Sequence, residues 1–128
     1  SRSSTPAVRF VISGDRPVNE IVQDKGQFAG LDGRWPDLDK GYSRELMPWV
    51  SESWLDHFKW LGAGDFPSDS TGKLSEMVGA TLKQGRKIRF WGAPDTKAVW
   101  GLHFRSGVDW INTDHPALLR TWLLEVEK

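Results

Sequence analysis

Polar and charged side chains gather just beyond three short apolar runs. Ala7 to Ser13 is followed by Gly14, Asp15, Arg16 and Pro17; Gln27 to Leu31 by Asp32, Gly33 and Arg34; Val108 to Ile111 by Asn112, Thr113 and Asp114. A guanidinium presents a planar fork of donors, so Arg16 and Arg34 suit an anion, either a bound phosphate or a neighbouring carboxylate. Asp32, Asn112 and Asp114 offer acceptors that orient such arginines or receive hydroxyl groups. Asp114 also stands just before a proline-led helix, where an N-cap is expected, and this structural reading is preferred for it and for Asp95. Asp109 lies inside an apolar run and reads as a structural partner for a buried arginine such as Arg89. Of the three histidines, His57 and His103 fall on helical stretches and read as surface or packing residues, whereas His115 sits at a loop. The absence of cysteine excludes disulfides, thiolate metal sites and a cysteine nucleophile.

The elements that must hold these residues follow from punctuation and period. Ala7 to Ser13 and Gln27 to Leu31 read as strands, as do Ile88 to Trp91 and Val108 to Ile111. Leu46 to Val50 is apolar but contains Pro48, which removes a ladder donor, so it is expected to be a loop or an edge strand. Trp54 to Leu61 predicts a short helix capped by Ser51 or Ser53, and Gly62 to Gly72 a loop. A firmer helix is predicted over Lys73 to Gln84, where Leu74, Met77, Val78 and Leu82 share one face and Gly85 follows. Another runs from Asp95 to about Arg105 and stops at Gly107. The last begins at Pro116, capped by Asp114 or His115, with Leu118, Leu119, Trp122, Leu123 and Val126 as its apolar stripe.

Val8 and Phe28 are 20 residues apart, and so are Ile88 and Val108. Steps of that length suit parallel strands joined by helical crossovers. Four parallel strands are expected. The first crossover, Gly14 to Gly26, is too poor in apolar residues for a full helix, which would leave one sheet face incompletely covered.

The 128 residues amount to one domain, with Ser1 to Pro6 a flexible terminus and residues 7–128 the folded part. Seventeen basic and 17 acidic residues cancel, without a run of like charge, which argues against nucleic acid as a partner. No apolar stretch approaches the length of a membrane span, and Ser1 to Pro6 lacks the regions of a signal peptide. A soluble chain is expected; its compartment stays open, secreted and periplasmic ones included. Eight tryptophans are an unusual number for this length; most are expected in the core or under loops, with one or two left for a substrate groove.

Residues 107 to 116, Gly-Val-Asp-Trp-Ile-Asn-Thr-Asp-His-Pro, resemble the last strand of the glycerophosphodiester phosphodiesterase barrel, which commonly reads Gly-Val-Asp-x-Ile-x-Thr-Asp-x-Pro. Phe90-Trp91 is similar to the tryptophan-ending seventh strand of those barrels. Gly30 to Arg34, Gly-Leu-Asp-Gly-Arg, resembles the sixth-strand mouth of a subgroup related to phosphatidylinositol-specific phospholipase C. Val8 to Pro17 resembles its fifth-strand mouth.

The resemblance implies an α/β fold of parallel βα units, forming the C-terminal half (strands 5 to 8) of a (β/α)₈ TIM barrel. It implies a metal-dependent phosphodiesterase of the glycerophosphodiester or phosphoinositide type, with Ca²⁺ or Mg²⁺ held mostly by ligands outside this chain. The family's histidines lie mainly on early strands, and His57, His103 and His115 lack the His-Arg-Gly context, so catalytic residues are not assigned and the chain alone is expected to be inactive. Arg16, Asp32, Arg34, Trp91, Asn112 and Asp114 are the candidate substrate-binding residues, Trp91 as a wall for a glycerol or inositol moiety. The implied partners are a phosphodiester small molecule or lipid head group. A second copy or the missing N-terminal half is expected to pair with the open sheet edges. A non-catalytic carbohydrate-binding module, favoured by the tryptophan content, is the alternative; a stable fragment without function of its own is a third reading.

Overall fold

In a computed structural model, which describes residues 7–128, five parallel strands form one sheet in the order of the chain. The flexible terminus expected over Ser1 to Pro6 lies outside the described residues. The strands are β1 (Phe10–Ile12), β2 (Ala29–Gly33), β3 (Trp49–Ser53), β4 (Lys87–Trp91) and β5 (Trp110–Ile111). Helices α1 (Val18–Gln23), α2 (Trp54–His57), α3 (Ser68–Lys83), α4 (Lys97–Ser106) and α5 (Pro116–Val126) alternate with them, and a 3₁₀ turn spans Trp35–Asp39. Five strands replace the four expected, because the stretch Leu46 to Val50, expected to be a loop or an edge strand, is turn and loop only as far as Pro48, and its last two residues open the central strand β3. Pro48 stands just ahead of β3, where its carbonyl accepts from the Lys87 N–H at 3.1 Å and no amide donor is required of it. β3 then runs centrally, paired with β2 on one side and β4 on the other.

Period-two alternation separates two faces. Leu31, Val50, Ile88 and Phe90 are at most 1% exposed and point toward the helices. Ile88 and Phe90 join Trp54, Phe58, Leu74 and Met77 in one cluster, Leu31 and Val50 join Ile21, Leu38 and Met47 in a second, and Trp35 packs against both. On the opposite face stand Val11, Asp32, Trp49, Arg89 and Trp110, one from each strand, around a single cavity of about 340 Å³. A flat sheet of five strands would spread these positions over about 19 Å. A cavity touched by all five, with the Trp49 and Trp110 rings 4.6 Å apart across β4, is compatible with a sheet curled as in part of a (β/α)₈ barrel.

Local signals behave as their chemistry requires at several ends. α4 stops at Gly107, whose φ is +81°, and the turn after α3 uses Gly85 at φ +71°. α1 forms but is only six residues long and buries only Ile21, the thin cover expected of that crossover. α3 begins at Ser68, five residues earlier than the apolar stripe suggests, since Pro67 just ahead of it accepts from the Ser70 and Thr71 N–H groups. α2 is a single turn: Phe58 is already extended and turns inward to the core.

Candidate functional site

The strand ends meet around Asp32, the fourth residue of β2, which is 1% exposed. Its register partner in β3 is Trp49, and β1 runs alongside it, so β1, β3 and β4 deliver side chains to the same carboxylate. Ser13 donates to Asp32 Oδ2, and Ser51 donates to Oδ1 at 2.7 Å. Arg89 donates through Nε to Ser51 Oγ at 2.7 Å and through Nη1 to Asn112 Oδ1 at 3.1 Å, with its Nη2 3.7 Å from Asp32 Oδ2. Arg34 Nη1 stands 3.5 Å from Asp32 Oδ2 and bonds the carbonyls of Asp32 and Gly33. Arg16 Nη1 donates to the Asp32 carbonyl at 2.7 Å and to Asp37 Oδ2 at 2.9 Å.

Asp37 is the second carboxylate of the cluster. Burial by itself would push its carboxyl up, but hydrogen bonds from Arg16, Lys40 and the Arg34 N–H outweigh it and hold the group below the usual carboxylate range. Arg16 and Lys40 pair with Asp37, and Arg34 and Arg89 lie within 4 Å of Asp32. Arg34 and Arg89 keep about 30% of their side chains exposed, at 28% and 30%, so both can turn free donors to a bound anion.

A second network closes the mouth between β4 and β5. Asp95 accepts from Trp100 Nε1 at 2.8 Å, Thr113 Oγ1 at 3.0 Å and the Asp114 N–H at 2.8 Å. Burial would raise its carboxyl, and these three donors together lower it. Asp95 is thus a clasp between two loops and not the N-cap of α4; Thr96 holds that position and accepts from the Val99 N–H. The Asp114 side chain does not cap α5 either. His115 occupies the cap position without a side-chain bond. Asp114 instead lines a cavity of about 430 Å³ with Gly92, Asp95 and Asn112.

Of the six residues anticipated from the sequence, Arg16, Asp32 and Arg34 are in direct contact and Asn112 joins them through Arg89. Trp91 stands at the end of β4, 47% exposed and outside that network, and Asp114 lies across the mouth on the Asp95 clasp. Arg89 was expected beside Asp109; the register pairs Arg89 with Trp110, and Asp109, one residue ahead of β5, pairs with Lys87 at 3.5 Å and accepts from the Ile88 N–H.

Glu52 and the strand role of Ser51, read from the sequence as a candidate helix cap, escape the sequence reading because Pro48 disqualified the strand that carries them. Glu52 accepts the Trp35 N–H with one oxygen, and its other oxygen lies 2.8 Å from His57 Nε2, so His57 is a paired group, not a free surface histidine. His103 is a packing residue, as expected: it is 1% exposed and sits 4.9 Å from the Trp54 ring, edge-on.

Asp32 is saturated by hydroxyl donors and arginines, and among the described residues no three His, Asp or Glu side chains gather closely enough to hold a metal. The donor set present does not fit Ca²⁺ or Mg²⁺, which need several oxygen ligands around one point.

The model of the glycerophosphoryl diester phosphodiesterase family matches residues 87–117, which cover β4, α4 and β5 with the Asp95 clasp and Asn112. The match relates this βα segment to the phosphodiesterases of that family. Comparison with curated proteins and with solved structures returned no match.

Proposed function

We propose that this chain supplies the substrate-binding strand ends of a phosphodiesterase barrel, taking the phosphate of a glycerophosphodiester or phosphoinositide head group on Arg34 and Arg89. The observation that carries the proposal is the gathering of Arg16, Arg34 and Arg89 around Asp32 at the strand ends, with Arg34 and Arg89 part-exposed, beside the segment that matches the family. Strand C-terminal ends are where barrels of this kind build their sites, and guanidinium forks match phosphate oxygens. Asp32, fastened by Ser13 and Ser51, orients both arginines, while Asn112 fixes Arg89 from β5. Trp91 and Asp114 flank the opening and face the non-phosphate part of the ligand. On this reading the ligands of a Ca²⁺ or Mg²⁺ ion and the proton-transfer groups lie outside this chain, which by itself binds but does not hydrolyse. The unpaired edges of β1 and β5 are met by further parallel strands, in isolation those of a second copy.

Calorimetric titration with glycerol 3-phosphate tests the proposal. Binding is expected, weakened about tenfold or more by Arg34→Gln or Arg89→Gln, each loss corresponding to at least about 1.4 kcal/mol, and falling with added salt. Silence towards glycerol 3-phosphate with saturable quenching of tryptophan fluorescence by neutral glycans would overturn it in favour of a carbohydrate-binding module.

A further inference from the structure

A second cluster of cations lies away from the strand ends, on the outer surface of α4. Lys97, Gly101 and Arg105 follow one another at four-residue spacing and so lie along one line of the helix. Aromatic rings rise on both sides of that line, Trp60 and Phe66 from the loop after α2 and Trp122 from α5, and the groove between them has a volume of about 440 Å³. That size falls in the range of about 300–1,000 Å³ found for small-molecule sites. The walls are held in place. Trp60 Nε1 donates to the Ala63 carbonyl at 3.0 Å and its ring meets Phe66 edge-on at 5.4 Å. Trp122 packs 5.9 Å from Trp100, itself fastened by Asp95.

The floor is specific as well. A Cβ at position 101 would stand 2.8 Å from Arg105 Nη1, so the missing side chain of Gly101 is what lets the guanidinium fold back along the helix into the groove. Among the described residues, neither Lys97 nor Arg105 forms an ion pair, although seven such pairs are made elsewhere. One acid, Asp65, lines the groove. Two cations without ion-pair contacts, set against one acid and beside fixed aromatic faces, suit a ligand that is flat at one end and anionic at the other; an aliphatic phosphate would leave the rings unused, and a neutral sugar the cations.

We propose that this groove is a nucleotide-binding site, with the heteroaromatic base against the Trp60 and Trp122 rings, the phosphate on Lys97 and Arg105, and Asp65 accepting from a ribose hydroxyl. Stacking on tryptophan is tolerant of base identity, so the site selects for a nucleotide over its separate parts more than for one base. The site is separate from the strand-end arginines and does not depend on their role.

Adenosine 5′-monophosphate is the probe, titrated by calorimetry with amide chemical shifts to locate the site. Saturation of the amide shifts around Trp60, Gly101 and Trp122 is expected with a Kd below about 1 mM, at least about tenfold weaker in Lys97→Gln and Arg105→Gln and, at these same amides, unchanged in Arg34→Gln. Adenosine and inorganic phosphate are each expected to bind at least about tenfold more weakly than the nucleotide. Both glutamine substitutions are at exposed helix positions, and an unchanged melting temperature verifies that the variants fold. The proposal is overturned by any of three results: no binding up to about 10 mM, adenosine binding as tightly as its phosphate, or binding that survives Arg105→Gln but not Arg34→Gln.

Discussion

His103 carries two ring nitrogens without a hydrogen-bond partner in the interior of α4's core-facing side, between Trp54 and Phe90. A buried imidazole tolerates that placement only while neutral, because burial penalises the charged form, and its pKa is pushed down to about 4. An unfolded histidine titrates near about 6.5. Between these values the unfolded chain binds a proton that the folded chain refuses, so His103 leaves stability untouched above about pH 6.5, erodes it as pH falls towards about 4, and adds no further loss below. The interval corresponds to roughly 3 kcal/mol. Denaturant titrations of wild type and His103→Phe between pH 7 and pH 4 are expected to diverge on that account, the variant losing about 3 kcal/mol less; equal slopes would refute the assignment. Asp37 and Asp95 act in a lower window. Their carboxyls are depressed, so the stability they contribute is present above the ordinary carboxylate range and is lost only as pH falls through their lowered values.

At the level of elements, the approach of β2 to β3 depends on one missing side chain. A Cβ on Gly33 would come 2.5 Å from Met47 Sδ and 2.8 Å from the Trp49 carbonyl, and the second of these is backbone that cannot move without parting β2 from β3. Gly33→Ala is therefore expected to cost about 2 kcal/mol or more and to loosen the Asp32 cluster next to it, visible as a lower denaturation midpoint together with weaker glycerol 3-phosphate binding. Gly72→Ala is the contrasting case. Gly72 sits exposed inside α3 with nothing within 4 Å of an added Cβ, so alanine there is expected to gain about 0.5–1 kcal/mol from helix propensity. At the lower end of the sheet, Arg86 joins the loop before β3 to the start of β4 by donating to the carbonyls of Tyr42, Ser43 and Met47. Burial lowers its pKa, and neutral acceptors on three sides make it a staple between elements.

Across the whole molecule, the sheet is well covered at its centre and bare at its margins. At the β1 side Val8 and Phe10 are 66% exposed and Phe28 82%, and at the other end α5 leaves Leu118 and Leu124 on the surface. In a ring of βα units each helix packs over the groove between its own strand and the next, and on the proposed reading α5 of one chain would cover the β1 face of another. A contact of that kind is head to tail and either closes into a ring or extends. Light scattering of the purified chain is expected to report species larger than one chain, growing with concentration, and Phe10→Lys with Phe28→Lys should shift them towards the monomer. A monodisperse single chain at about 0.1 mM would count against this reading of the margins.

Much of the local grammar was legible in the amino-acid order alone. The strand over Ile88 to Trp91, the stops at Gly85 and Gly107, the proline-led last helix and the polar mouth at Asn112 to Asp114 all follow from period and turn chemistry within about ten residues. The tryptophan expectation held only in part: Trp54 and Trp100 are buried, Trp35, Trp49, Trp60 and Trp122 are half-buried, and Trp91 and Trp110 stay open. Pro48 misled the reading of β3 because a missing donor disqualifies a strand only where the ladder needs one, and that depends on which neighbour lies alongside. The same dependence governs the site. Asp32 meets Ser13 and Ser51, each 19 positions away, and Arg89 reaches it from still further along the chain. Residue types and spacings determined which groups were able to bind an anion; the pairing of five parallel strands decided which of them met, because a hydrogen-bond partner is selected by distance across strands and not by distance along the chain.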